Sequence, residues 1–339
     1  MNPADLLVLV VALAVSTVFL LLVLAGVWWF DRYDREPLHL VAAVFFWGAI
    51  IAPAASVAVL SYLGEARVAT GPSKALLFVG VMGGAPVVEE VAKAIGVLLV
   101  VLLTSEFDNP TDGVVYGTAS GLGFAVAENL LYGISAVGSG VYQGLAIVIM
   151  VGGRTVLTAG VHAVSSAAFG GFLGHALLAR RRRSGVAWVS VGLLAAISLH
   201  AAWNLALHFF GAAGEGGEPR GWLVVIPLLY ATYLLVLAAF LRSEHRILKN
   251  ALAEEVALGV APPWVAEIIP YYRRRVKGEW WPSRRERTVI SRLLTKLAFR
   301  KKRFADLPQE KGAVAAFEIV KLRQRVREIL SPTGDTEDT

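Results

Sequence analysis

No cysteine occurs anywhere in the 339 residues, which excludes disulfides, a disulfide-linked partner, thiolate metal sites and cysteine nucleophiles. Charge is scarce too: Asp, Glu, Lys and Arg make up 17% of the chain, against about 25% in an ordinary soluble protein. Mean hydropathy is +0.61, so water is not the main solvent. The 32 Lys and Arg exceed the 26 Asp and Glu by a formal charge of +6. That excess concentrates in a run of four arginines at 180–183 and beyond residue 241. No nucleic-acid-binding motif accompanies it, so no nucleic acid is expected as a partner.

Long apolar runs are what the chain has in place of charge. A membrane-spanning helix needs roughly 20 mostly apolar residues, and seven stretches qualify: 6–30, 38–63, 75–103, 113–137, 141–178, 186–211 and 222–241. The first lacks a positive leader and ends in Trp28-Trp29-Phe30, which predicts a retained helix. The fifth exceeds one span, which predicts tilt, a break near Gly152-Gly153, or a preceding interfacial piece. The fold class expected is all-α: a polytopic membrane bundle of about seven transmembrane helices over 1–241. A basic tail of amphipathic helices follows over 242–339, broken at Pro262-Pro263 and Trp281-Pro282. Placing that tail in the cytoplasm puts the arginine run on the same side, as the positive-inside rule requires. Residues 284–303, basic with interleaved Leu and Phe, read either as an anionic-lipid surface or as a solvated helix face.

Against this apolar background the ionisable residues inside the spans stand out, because each costs about 2.5–3.5 kcal/mol at the bilayer centre. The third stretch carries Glu89, Glu90 and Lys93, with Glu89 and Lys93 on one face at i and i+4. Glu128 and Asn129 lie in the fourth, Arg154 and His162 in the fifth, and His200 with Asn204 one turn apart in the sixth. At about 1.5 Å per residue, Glu89, Glu128 and His200 lie roughly 14–21 Å from their outer helix ends. His162 falls near the same level, so the four are expected to meet in one polar cavity. Glu90, about 100° around the helix from Glu89, is expected to face elsewhere and to position Lys93 or Asn129.

Carboxylates, imidazoles and an amide at one depth suit hydrolysis of a peptide bond. Water must be held and deprotonated, the leaving amine protonated, and an oxyanion stabilised. Glu89, with Lys93 as counter-ion, can serve as general base; a neighbouring His can hold the same water; His200 and Asn204 can donate to an oxyanion. Arg154 and Lys93 read equally well as charge neutralisers. No His-Glu-x-x-His is present, which removes the zincin helix. Asp108 and Asp112 are assigned to a loop, which removes an aspartyl dyad from the spans. Ser120, in Gly117-Thr118-Ala119-Ser120-Gly121, fits close packing better than nucleophilic chemistry. The alternative is an ion-coupled transporter or proton channel using the same buried Glu, His and Lys, against which stands the absence of an internal repeat.

Three linked segments carry a resemblance: Pro86-Val87-Val88-Glu89-Glu90-Val91-Ala92-Lys93, Phe107-Asp108-Asn109-Pro110-Thr111-Asp112-Gly113-Val114-Val115-Tyr116-Gly117, and Gly121-Leu122-Gly123-Phe124-Ala125-Val126-Ala127-Glu128-Asn129-Leu130-Leu131-Tyr132. Together they resemble the PrsW family of bacterial intramembrane proteases, distant relatives of the CAAX prenyl endopeptidases. The likeness runs from Trp29 to about Phe209 and leaves out the tail. It implies a multi-pass cell-membrane peptidase with Glu89, Glu90, Glu128, His162, His200 and Asn204 as catalytic positions; Lys93, Asn129 and Arg154 are supporting candidates from their own place inside the spans. It also implies a membrane-anchored single-span substrate such as an anti-sigma factor. Glu128 stands where the prenyl endopeptidases place His, so prenylated substrates are not implied. If a divalent metal assists, Glu89, Glu128, His162 and His200 are the candidate ligands, and zinc is compatible with that set.

Overall fold

The computed structural model describes residues 2–33, 35–70, 84–104, 106–107, 109–178, 182–210, 222–306 and 312–330. Among these the chain is helical throughout, and six helices are long and apolar enough to cross a membrane. The chain divides into two compact units: residues 1–30, 36–176 and 186–237 form one, and residues 31–35, 177–185 and 238–339 the other.

The first unit opens with α1 (Pro3–Phe30), whose Leu7, Val15 and Leu22 are about two-thirds exposed. Apolar side chains presented so openly over a whole helix require lipid around them. Helix α2 (Leu38–Phe46) runs through one π-helical turn, Trp47–Ile51, into α3 (Ala52–Thr70). A widened turn of this kind re-aims side chains inside an otherwise regular helix. Here it turns the Trp47 indole to donate to the Ala92 carbonyl at 2.9 Å. It also sets Gly48 against the backbone of Ser120, where any Cβ would collide.

Helix α4 (Ala85–Leu103) is the described part of the third expected span, whose residues 75–83 lie outside the described set. Its 19 residues include the three charges Glu89, Glu90 and Lys93, and it is not among the six described helices apolar enough to cross a membrane. Helix α5 (Pro110–Gly138) begins earlier than the hydropathy suggests, because Asn109 and Asp112 form a capping box. Asn109 accepts from Thr111 N at 2.7 Å, and Asp112 accepts from Asn109 N at 2.9 Å. Asp112 is therefore the N-terminal cap partner of a helix rather than a loop residue, and Pro110 sits where its missing N–H costs nothing.

The fifth stretch is two helices, α6 (Leu145–Val156) and α7 (Thr158–Leu178). The break falls at Leu157, one turn past the Gly152-Gly153 pair. Three glycines of α5 at four-residue spacing, Gly113, Gly117 and Gly121, lie against the backbone of α7 at Gly170, Ser166 and His162. Without side chains between them the two helices approach closely, the packing device of membrane interfaces. Helices α8 (Arg182–Phe210) and α9 (Trp222–Ala257) follow; residues 180 and 181 of the arginine run are outside the described set.

In the second unit the C-terminal end of α9 is joined by α10 (Trp264–Ile268), α11 (Tyr272–Lys277), α12 (Arg284–Asp306) and α13 (Gly312–Leu330). Their apolar faces build one core from Leu248, Leu252, Val265, Ile269, Leu294 and Leu297 among others. The basic stretch read from the sequence as a lipid surface or a solvated face is α12, and its Ile290, Leu294 and Leu297 are spent on this core.

Candidate active site

All nine side chains singled out by sequence belong to the first unit. Eight of them enter one network or touch it directly. At its centre Lys93 of α4 is sealed from solvent and donates from Nζ to Glu90 Oε1 at 2.6 Å. The same ammonium lies 3.1 Å from His162 Nδ1 on α7. An ammonium can only donate, so Nδ1 of His162 accepts and its proton sits on Nε2. That proton is directed at Glu128 Oε2 of α5, 2.6 Å away.

His200 of α8 completes the set. Its Nδ1 is 2.9 Å from Glu90 Oε1, which as a carboxylate accepts the Nδ1 proton. The Nε2 lone pair then faces Glu89 Oε2 at 3.7 Å, an oxygen that is buried and has no hydrogen-bond partner among the described residues. The two atoms thus converge without a hydrogen bond between them. The His162 and His200 rings meet edge to face at 4.8 Å, and Phe124 packs 5.3 Å from the His162 ring.

Exposure separates the site into an inner and an outer side. Glu90 and Lys93 are 1% and 0% exposed, whereas Glu89 and Glu128 retain 15% and 19% of their side-chain surface. Arg154 of α6 flanks the outer side, 3.1 Å from Glu128 Oε2, and lies over the Tyr132 ring at 3.7 Å. Behind it, Arg154 Nε donates to Asn129 Oδ1 at 3.2 Å. Asn129 Nδ2 donates in turn to Ser16 Oγ and Thr155 Oγ1 at 3.3 and 3.2 Å. Asn204 is half-buried one turn beyond His200 and makes no hydrogen bond to another described residue.

Two expectations are corrected by this geometry. Glu90 positions Lys93 as expected, but through an i+3 ion pair, so the ammonium is bonded to Glu90 and not to Glu89 at i+4. Glu90 does face the same point as Glu89, because the two nitrogens of the His200 ring bridge both carboxylates across the angle between them. Ser120 is a packing residue whose hydroxyl donates to the Lys93 carbonyl at 3.1 Å.

Some polar partners were not singled out beforehand. Ser16 and Thr155 share a 2.6 Å hydrogen bond beneath Asn129; their only sequence signal is a hydroxyl within an apolar run. Glu36 accepts from the fully buried Tyr116 hydroxyl. A carboxylate immediately before Pro37 at the start of a span was the available hint.

Glu89, His162 and His200 can each offer a ligand atom within 4.8 Å of the others. The 3.7 Å between Glu89 Oε2 and His200 Nε2 is close to the roughly 3.4 Å separating two ligands of one tetrahedral zinc. The unpartnered Glu89 oxygen and the vacant lone pair of His200 suit a cation. His162 is the third group within reach of the same point.

Residues 36–239 match the profile of a family described as PrsW family intramembrane metalloprotease. Protease PrsW of Bacillus subtilis (strain 168) is 29% identical over 177 residues, which cover 52% of this chain and 73% of that protein. Protease PrsW of Geobacillus kaustophilus (strain HTA426) is 31% identical over 160 residues, 47% of this chain and 64% of its own length. For Protease PrsW of Clostridioides difficile (strain 630) the figures are 25% over 218 residues, 62% and 83%. No solved structure matches the chain.

Proposed function

This chain belongs to the PrsW family of intramembrane metalloproteases, and from that premise we propose that it hydrolyses a peptide bond of a single-span membrane protein at the Glu89–His200 pair. The observation that carries the reading is the convergence of Glu89 Oε2 and His200 Nε2, 3.7 Å apart and not hydrogen-bonded to each other. One water bridges such a pair and loses its proton to Glu89. Glu90 keeps the Nδ1 proton of His200 in place, so that Nε2 faces the water as an acceptor. The proton that Glu89 takes from the water is then delivered to the leaving amine, beside the hydrogen-bonded His162–Glu128 pair. Asn204, whose amide is not engaged by a described neighbour, donates to the oxyanion with Arg154 nearby.

Glu89, His162 and His200 would hold the divalent ion implied by the family, zinc by the character of the donors, and there it supplies Lewis acidity to the scissile carbonyl and acidity to the bound water. The substrate class is a membrane-anchored regulatory protein, an anti-sigma factor being the kind suggested by the resemblance. The basic tail faces the cytoplasm on the positive-inside argument.

Purified full-length protein in proteoliposomes with a single-span peptide tests this. Glu89→Gln and His200→Ala should each lower cleavage by about 10²–10⁴-fold at unchanged expression. Cleavage that survives both variants, or proton flux without any cleavage, refutes the assignment.

A further inference from the structure

Helix α1 reaches the polar network of the site through one side chain. Ser16 is 5% exposed on a mostly apolar helix, and burying a hydroxyl there is unfavourable unless its hydrogen bonds are made. Its partners are Thr155 Oγ1 of α6 at 2.6 Å and Asn129 Nδ2 of α5 at 3.3 Å. The whole of α1 precedes residue 36, where the family match begins.

Counting protons fixes the direction of each bond. The one proton of the Thr155 hydroxyl goes to the Val151 carbonyl at 2.7 Å, so Ser16 is the donor in the Ser16–Thr155 bond. Both hydroxyl oxygens are then acceptors for the two protons of the Asn129 amide nitrogen, at 3.3 and 3.2 Å. With its nitrogen so held, Asn129 presents Oδ1 to the Arg154 Nε–H at 3.2 Å. An amide turned the other way would set N–H against N–H.

A long side chain such as arginine loses its rotamer freedom only against fixed partners. For Arg154 these are Asn129 Oδ1 at one edge and the Tyr132 ring, 3.7 Å from the guanidinium carbon. The guanidinium so placed lies 3.1 Å from Glu128 Oε2, the same oxygen that is 2.6 Å from His162 Nε2. We infer that Ser16 is a positioning residue of the site: through Thr155 and Asn129 it holds Arg154 against Glu128, and with Glu128 the ring of His162. Its effect on cleavage rests on the proteolytic reading; its hold on Arg154 does not.

Two measurements on the full-length protein in detergent test this. Cleavage of the single-span peptide gives kcat and KM, and the rate at which phenylglyoxal labels Arg154, read from its peptide by mass spectrometry, reports how firmly the guanidinium is held. Ser16→Ala should lower kcat by about tenfold or more with KM within about twofold, since a small misplacement beside the chemistry acts on the rate. Arg154 in that variant should be labelled about twofold faster or more, its rotamers being freed. Ser16→Thr keeps the hydroxyl, its methyl having room in the apolar groove of about 570 Å³ that Ser16 lines with Thr155 and Gly152, and should restore both readouts. Thr17→Ala, whose lost hydroxyl donates to the Leu13 carbonyl of its own helix at 2.8 Å, should change neither. A Ser16→Ala protein that melts earlier yet keeps the wild-type kcat and labelling rate would make Ser16 a packing residue and overturn the inference, as would an equal loss in Ser16→Thr. If the wild-type protein leaves the peptide uncut, proteolysis fails and labelling still decides: faster reaction of Arg154 in Ser16→Ala upholds the positioning, and an unchanged rate overturns it.

Discussion

Neutralising Lys93 and Glu90 separately and together separates what this pair does for the fold from what it does for chemistry. The two are 0% and 1% exposed and 2.6 Å apart, so removing either leaves a charge with little water to solvate it. Breaking a buried pair costs about 3–5 kcal/mol, whereas replacing both partners is often near neutral. Net stabilities are about 5–15 kcal/mol, so each single change should be conspicuous. Lys93→Met and Glu90→Gln should therefore each shift the unfolding midpoint strongly. The double variant should recover most of the loss. Unfolding in mixed detergent–SDS micelles, followed by tryptophan emission, reads this directly. The double variant should still be inactive, because Lys93 orients His162 and Glu90 orients His200. A double variant destabilised by the sum of the two singles would refute the pairing. Full activity in that variant would refute the orienting role.

The glycine ladder gives a second prediction: Gly117→Ala and Gly121→Ala place a Cβ 2.2 Å from the α7 backbone. Both should lower thermal stability and cleavage together, whereas Gly152→Ala, with nothing within 4 Å, should be neutral or stabilise by up to about 1 kcal/mol. Asn109→Ala removes the cap of α5 and should cost about 0.5–2 kcal/mol, measured as a lower melting temperature with the cleavage rate of the folded fraction unchanged. Exhaustive chelation should abolish cleavage and zinc add-back should restore it; activity that persists in a metal-free preparation would remove the ion from the account.

The helical architecture and the convergence of the site were legible in the sequence for one reason: charges in lipid are costly, so Glu89, Glu128, His162 and His200 could be read as a group and tested against depth. What was not legible depends on rotation and on partners from other helices. Helical spacing suggested that Glu89 and Lys93 pair and that Glu90 turns away. The bridging ring of His200, which makes both carboxylates part of the site, comes from a helix more than 100 residues later. The π-turn at Trp47 left no periodic trace, since it is imposed by packing against Ala92 and Ser120. The capping box of α5 was visible in Asn109-Pro110-Thr111-Asp112, yet hydropathy assigned those residues to a loop because polar caps and polar loops look alike to an apolar count. The fold of the tail was hidden for a related reason, as the apolar face of α12 could equally have met lipid or its own neighbours.

The central claim is that Glu89 and His200 act on one water as a unit. Single-turnover cleavage by Glu89→Gln, His200→Ala and the double variant tests it most directly, because groups sharing one step are not additive. The account predicts that the double variant is no slower than the slower single. Losses that multiply would show two independent contributions and contradict it.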